Sequence, residues 1–246
     1  VGRPPVAILC GGRGTRLQEH TREIPKPLVE IGGMPILWHV IQIYGAQGFS
    51  RCLLATGYRG ELIERFVAQT AWPEGLEVRC VPTGLDTQTG GRIAALAEHL
   101  EGEPVFCATY ADGLADIDLG ALLDFHAAHG AQASMTVVRP ELQFGVTEID
   151  EDATVRGFHE KPRSEHWING GFFCFGPEVL RRLGGPESIL EREPLSGLAT
   201  EGQLRAYRHD GFWRCLDTYK DAIALNDMWS SGAAPWRRQV PQPQRA

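Results

Sequence analysis

A glycine-rich loop, Gly11-Gly12-Arg13-Gly14-Thr15-Arg16, follows a short apolar run, and Pro25-Lys26-Pro27 lies a little downstream. Glycines let a backbone approach phosphate oxygens and present its N–H groups as a concave anion nest. Thr15 adds a hydroxyl, Arg16 a planar fork and Lys26 a second cation able to reach the same phosphates. No Gly-Lys-Ser/Thr closes the loop, so it is not a Walker A loop. The third glycine of Gly-x-Gly-x-x-Gly is missing, so it is not a dinucleotide fingerprint either. A tight strand-to-loop turn is the plain alternative for the glycines alone; Lys26 favours a polyphosphate site.

Lysine usage sharpens this. Only Lys26, Lys161 and Lys220 are lysines among 24 basic residues, and two of them stand before a proline, in Pro25-Lys26-Pro27 and Glu160-Lys161-Pro162. A compact ammonium at those places suggests positions where a forked guanidinium does not fit. Asp112, in Thr-Tyr-Ala-Asp-Gly, and Asp217, in Phe-Trp-Arg-Cys-Leu-Asp-Thr, each end an apolar run. They are the candidate metal pair, since Mg²⁺ takes one or two carboxylates together with phosphate and water oxygens. A helix cap is the alternative for a lone aspartate, and Asp217 could serve as both. Asp116, Asp118 and Asp221 read as caps or solvated charges. His126 and His129 share a helical face without a third ligand, which argues against zinc, and no Ser/His/Asp or Cys/His set is marked locally. The tryptophans read mostly as packing, with Trp213, close to Asp217, the exception.

The elements that must position these residues alternate. Strands are expected over 5–10, 51–56, 76–81, 104–110 and 133–138, with helices over 36–47, 60–71, 91–100 and 119–128 between them. Such βαβ units imply an α/β fold around a mainly parallel sheet covered on both faces. Ligands then collect beyond the carboxyl ends of the strands, where the glycine loop, Thr83–Arg92 and Asp112 would meet. After residue 139 shorter strands (146–149, 155–159, 171–175, 203–208, 212–216) mix with helices near 178–183, 188–200 and 218–229, forming the second wall of a cleft. One domain over 1–246 is expected, with a first half to about 138, a second half over about 139–232 and an irregular tail from 233.

The composition is that of an ordinary globular chain: 246 residues, 43% apolar and 22% charged. A formal charge of −7 argues against a broad nucleic-acid-binding face. No apolar run approaches the roughly 20 residues needed to span a bilayer, and the N-terminal run lacks a signal-peptide core. Six cysteines without Cys-x-x-Cys spacing suit a reducing cytoplasm better than a disulfide or metal framework.

With Gly-Gly-x-Gly-Thr-Arg-Leu, Pro-Lys-Pro and Glu-Lys-Pro in this order, the chain resembles the sugar-nucleotide pyrophosphorylases, and within them the glucose-1-phosphate cytidylyltransferases. Supporting stretches are Pro35–His39, Thr89–Arg92, Ile168–Phe173, Glu193–Leu195, Gly211–Trp213 and Trp229–Trp236. The resemblance covers nearly the whole chain. It implies a Rossmann-like three-layer sandwich of the nucleotide-diphospho-sugar transferase type. It implies that Gly11, Gly12, Gly14, Thr15 and Arg16 cradle a triphosphate with Lys26 on its phosphates, and that Thr89, Gly90, Gly91 and Arg92 lie near base and ribose. Asp112 and Asp217 would hold Mg²⁺. Gly145, Glu160, Lys161, Asn169 and Gly170 would bind the sugar phosphate, with Arg16, Lys26 and Lys161 the catalytic cations.

The implied reaction is nucleotidyl transfer from CTP to a sugar 1-phosphate, foremost glucose 1-phosphate, with no nucleic-acid or membrane partner; a homo-oligomer is one state the resemblance allows. Departures from the family pattern cluster near base and ribose: Ala111 where a glycine is usual, Pro82 where an aspartate is usual, no basic residue after Ile93, and a shortened connection before Thr89. Two rivals follow: the same transfer with UTP or dTTP or another phosphorylated acceptor, and a catalytically silent nucleotide-sugar sensor. The sensor should have lost one of the metal aspartates or Pro-Lys lysines, and all four are present.

Overall fold

A computed structural model describes residues 2–14 and 24–239 of the chain. The frame is a seven-stranded sheet in the order β12-β8-β11-β6-β1-β4-β5. Its strands are β1 (Val6–Leu9), β4 (Arg51–Thr56), β5 (Glu77–Pro82), β6 (Phe106–Tyr110), β8 (Ala133–Val138), β11 (Ile168–Phe175) and β12 (Leu204–Arg208). All neighbouring pairs are parallel except those of β11, which runs antiparallel to both β6 and β8. This is the mainly parallel, mixed sheet that the sequence implies. The reversal of β11 has a functional consequence. Its first residues, not its last, lie at the edge where β1 and β6 end.

Period-two alternation along β1 divides the core. Val6 and Ile8 face a cluster containing Ile36, Leu37, Val40, Ile41 and Tyr44 of α1 (Ile36–Gly45), Ile63 of α2 (Gly60–Gln69), Leu119 and Leu122 of α5 (Leu119–His129), and Leu225 and Trp229 of α7 (Tyr219–Ser230). Ala7 faces the opposite cluster, with Ile93 of α3 (Thr89–Ala94), Leu100 of α4 (Ala97–Leu100) and Leu195 and Leu198 of α6 (Glu193–Thr200). Helices thus cover both faces, giving three layers. The single helix expected over 91–100 is two short pieces, because the chain turns at Ala95–Leu96. The helix near 178–183 is a 3₁₀ turn, Pro177–Arg182.

Three short strands escape sequence reading, and a fourth, residues 213–215, lies within the strand expected over 212–216. β2 (Glu30–Ile31) pairs β3 (Met34–Pro35), and β7 (Gly113–Ala115) pairs β13 (Trp213–Cys215). Two or three residues carry too little periodicity to be seen. A longer hairpin, β9 (Val146–Ile149) with β10 (Val155–His159), stands apart from the main sheet. The tail is less irregular than its prolines suggest: Pro235–Gln239 form a 3₁₀ turn, and Trp236 is fully buried. Its ring stacks on Phe212 at 5.3 Å between centroids and reaches His39 through Nε1. Among the described residues no helix is long and apolar enough to cross a membrane.

His39 is buried in that aromatic cluster, with Nε2 2.8 Å from the Ile31 carbonyl and Nδ1 3.4 Å from Trp236 Nε1. The carbonyl needs an N–H, so Nε2 carries the proton and Nδ1 accepts. Burial pulls its pKa down to about 4, against the upward pull of the Ile31 carbonyl. The unfolded chain therefore binds more protons than the native state between the ordinary histidine value and about 4. The stability contributed by neutral His39 is complete above roughly 6.5 and is lost as pH falls toward 4. Urea unfolding of the wild type is expected to weaken over that window. In His39→Gln the dependence on pH should flatten, and an unchanged slope would disprove this assignment.

Candidate active site

Parallel pairing of β1 and β6 matches Leu9 with Tyr110, so Cys10–Gly12 and Ala111–Asp112 leave the sheet side by side. The β7–β13 ribbon pairs Gly113 with Cys215, and Leu216 N–H donates to the Asp112 carbonyl at 2.9 Å. That pairing carries Asp217 to Asp112. Lys26 begins a 3₁₀ turn (Lys26–Leu28) after Pro25, whose φ is −69°. Its ammonium ends between the carboxylates, 2.5 Å from Asp112 Oδ2 and 2.9 Å from Asp217 Oδ1. Lys26 is 14% exposed, the aspartates 26% and 31%. Burial acts to lower the lysine pKa, but the Asp112 charge and the hydrogen bonds to both aspartates outweigh it and leave the pKa raised. Lys26 stays charged.

Asp217 does not cap α7. Thr218 does, in a capping box: its hydroxyl accepts from Asp221 N–H while the Asp221 carboxylate accepts from Thr218 N–H at 2.8 Å. Asp118 caps α5 by accepting from Ala121 N–H, and Asp116 faces His209 at 3.1 Å. The Asp112/Asp217 carboxylates are thereby left facing one point, already filled by a cationic nitrogen. Two carboxylates so arranged fit a hard divalent ion, whose other ligands would come from phosphate and water. Among the described residues no cluster of three or more His, Cys, Asp or Glu side chains could hold a metal alone. His126 and His129 instead both reach the Ser134 hydroxyl, at 2.9 and 2.7 Å.

Two adjoining cavities meet at this ion-paired triad. One, of about 270 Å³, is lined by Gly11, Gly12, Gly14, Lys26, Thr89, Arg92, Tyr110 and Asp112. The other, of about 670 Å³, is lined by Arg139, Lys161, Arg163, Trp213, Arg214 and Asp217. Trp213 Nε1 donates to the Gly170 carbonyl at 2.8 Å, joining β13 to the start of β11. Lys161 is about half exposed, 3.6 Å from Glu160, and has φ +47° although it is not a glycine. Gly145 leaves room for the Phe158 ring beside Glu160. Thr15 and Arg16 lie outside the described residues.

Three residues of the Thr89–Arg92 stretch have structural work. Gly90 and Gly91 turn toward residues 185–190: a Cβ on Gly90 would stand 2.6 Å from Ser188 Oγ, and one on Gly91 2.8 Å from Pro186 Cα. Arg92 borders the smaller cavity but is only 4% exposed. Its guanidinium donates to the carbonyls of Gly11 (2.9 Å), Gly84 (2.9 Å) and Thr56 (3.2 Å) and to Thr83 Oγ1 (2.6 Å). The sequence places Arg92 near base and ribose, and it borders the smaller cavity while its bonds make it a post beneath the glycine loop. Gly11 is required there, because its Cβ would fall 2.1 Å from the guanidinium carbon. Tyr110 and Glu191 also stand on the cleft wall, and no spacing rule singles them out.

The family model described as "Nucleotidyl transferase" matches residues 6–213. The glucose-1-phosphate cytidylyltransferase of Salmonella typhi is 39% identical, covering 94% of this chain and 97% of its own length. The mannose-1-phosphate guanylyltransferase catalytic subunit beta of Danio rerio is 31% identical, covering 97% of this chain and 67% of its own. The crystal structure of HddC from Yersinia pseudotuberculosis complexed with GMP-PN superposes with a TM-score of 0.73 at 21% identity, covering 92% of this chain and all of that one.

Arg92→Lys offers one ammonium where three carbonyls are gathered. At ~1–3 kcal/mol per buried carbonyl left unpaired, it should lower unfolding free energy by roughly 3 kcal/mol. Nucleotide affinity, by calorimetry, should fall with it as the loop loses its support. Full affinity in a destabilised variant would show that the loop does not need the post.

Proposed function

This chain belongs to the nucleotidyl transferase family, and we propose that it transfers a cytidylyl group from CTP to glucose 1-phosphate, giving a CDP-sugar and pyrophosphate. The observation that carries the reading is the triad at the junction of the two cavities: an ammonium and two carboxylates where two phosphorylated substrates would have to meet. The base and sugar follow from full-length likeness to the Salmonella typhi cytidylyltransferase. The more distant likeness to a guanylyltransferase supports transfer without supporting cytosine.

The triphosphate would lie over Gly11, Gly12 and Gly14, in the half of the chain that ends near residue 138. The sugar phosphate would lie in the larger cavity at Lys161, with Gly145, Glu160, Asn169 and Gly170 the further residues that the family likeness assigns to it. A phosphate oxygen of the acceptor attacks the α-phosphorus in line; that P–O bond forms while the α–β bridging bond breaks, its electron pair leaving with pyrophosphate. The attacking oxygen is already ionised, so no strong base is needed. The obstacle is bringing two anions together, and catalysis reduces to positioning and charge stabilisation.

Asp112 and Asp217 would hold Mg²⁺, which when bound supplies charge neutralisation to the phosphates. Beside those carboxylates Lys26 would turn its charge to the triphosphate, Lys161 would meet the acceptor phosphate, and Arg16 would serve as a third cation. A reducing cytoplasm suits the six free cysteines, including Cys107 and Cys174, whose sulfurs lie 3.7 Å apart without a bond.

A second reading keeps the transfer but changes the triphosphate or acceptor. It is favoured by Ala111, 3% exposed beside Asp112, whose methyl narrows the smaller cavity. Pyrophosphate release, with CTP, UTP, dTTP and GTP set against several sugar 1-phosphates and with or without Mg²⁺, separates the readings. CTP with glucose 1-phosphate is expected to turn over fastest and only with the metal. Preference for another pair selects the second reading, and silence with tight sugar-nucleotide binding selects a sensor. Lys26→Ala and Lys161→Ala should each cost roughly 3–4 kcal/mol in the barrier, about a hundred- to thousandfold in rate. Near-native turnover in both would overturn the assigned mechanism.

A further inference from the structure

Between the two cavities runs a continuous chain of hydrogen bonds that needs none of the phosphate-binding cations. Thr89, first residue of α3, donates its hydroxyl to Glu191 Oε2 at 2.6 Å while accepting from Leu190 N–H at 2.9 Å. Tyr110, last residue of β6, donates its phenol to Glu191 Oε1. The same phenol oxygen accepts from Asn169 Nδ2 at 3.2 Å, and Asn169 Oδ1 accepts from Gly171 N–H at 2.8 Å. Thr89 and Tyr110 line the smaller cavity, and Asn169 follows Ile168, the first residue of β11 and part of the wall of the larger one.

Proton directions make Glu191 the centre of this chain. A carboxylate only accepts, so both hydroxyls must point their protons at it. With its proton committed, the Tyr110 oxygen presents lone pairs to Asn169, which must therefore turn its amide nitrogen toward the phenol and its oxygen toward Gly171. The Tyr110 ring is fixed as well. It packs over Gly171, whose φ is +81° and where a Cβ would stand 2.6 Å from Tyr110 Cδ2. No cation pairs with Glu191 among the described residues. An unpaired carboxylate beside a cleft for two anions opposes binding unless it serves another end, and the end the geometry offers is orientation.

We infer that Glu191 is a positioning residue which ties the nucleotide wall at Thr89 to the sugar wall at Asn169, so that each half of the site is ordered through the other. The inference rests on the transfer reading above. Removing the carboxylate frees the Tyr110 proton to rotate toward Asn169 and lets the amide flip, which disorders the sugar side without touching Lys26, Asp112 or Asp217.

The test compares Glu191→Ala, Glu191→Gln, Asn169→Ala and the double variant Glu191→Ala/Asn169→Ala. Steady-state kinetics use the best substrate pair of the wild type, and thermal unfolding is followed in parallel. Glu191→Ala should raise KM for the sugar phosphate about tenfold, the scale of one lost network bond, with a smaller change in kcat and an unchanged Tm. Glu191→Gln keeps one acceptor for Tyr110 and should recover most of that loss. In the double variant the KM effects should fall well short of multiplying, because both changes break one chain. An unaltered sugar-phosphate KM in a folded Glu191→Ala protein, or independent multiplying effects, would overturn the inference. A wild type inactive with every pair would instead overturn the transfer reading, leaving the two failures distinguishable.

Discussion

The ion-paired contact of Lys26 with Asp112 and Asp217 joins three parts of the chain that are 86 and 191 residues apart. No local element can produce it. It needs β1 and β6 parallel and in register, so that the loop leading to Lys26 and the turn carrying Asp112 leave the same edge. It needs the β7–β13 ribbon to return the late chain to that edge. It also needs Thr218, not Asp217, to cap α7, since a capping carboxylate would be committed to backbone N–H groups. The like charges of the two aspartates would repel in so confined a place, and the ammonium between them makes the arrangement stable. The architecture around the cleft is in this sense a device for holding two carboxylates within reach of one cation.

Around that point the polar groups divide into those left available and those already spent. Arg92 is spent: its donors gather the carbonyls of Gly11, Gly84 and Thr56. Gly90 and Gly91 are spent on close packing against residues 185–190. Trp213 is spent on Gly170. Lys161, by contrast, stands half exposed at the turn before Pro162, 3.6 Å from Glu160. A phosphate site is built as much by what silences its neighbours as by what it offers.

The sequence made the sheet legible because β4 and β8 are six-residue runs bounded by turn residues, and the intervening helices show helical spacing. It could not show the order of the strands or the reversal of β11, which depend on pairing between distant segments. The two- and three-residue strands β2, β3 and β7 were invisible for want of any period, yet the pairing of β7 with β13, a strand expected within 212–216, sets the site. Site residues were legible where chemistry restricts the residue type, as with Lys26, Asp112 and Asp217. The inward bonds of Arg92 were not legible, because sequence does not reveal which face of a loop is buried. The tail misled for the opposite reason: its prolines suggested irregular chain, while Trp236 needed a core to enter.

Why lysine stands at position 26 in a chain that otherwise uses arginine can be answered from the geometry. The slot admits a nitrogen with oxygens at 2.5 and 2.9 Å on two sides, and a guanidinium fork would have to meet both carboxylates in its own plane. An ammonium has three donors that rotate about one bond, so it can satisfy two carboxylates now and phosphate oxygens later without moving its backbone. Pro25 and Pro27 fix that backbone, which confines the exchange to the side chain. A point charge that can change partners from a rigid anchor is what two anions meeting at one phosphorus require, and it explains why so scarce a residue type is kept here.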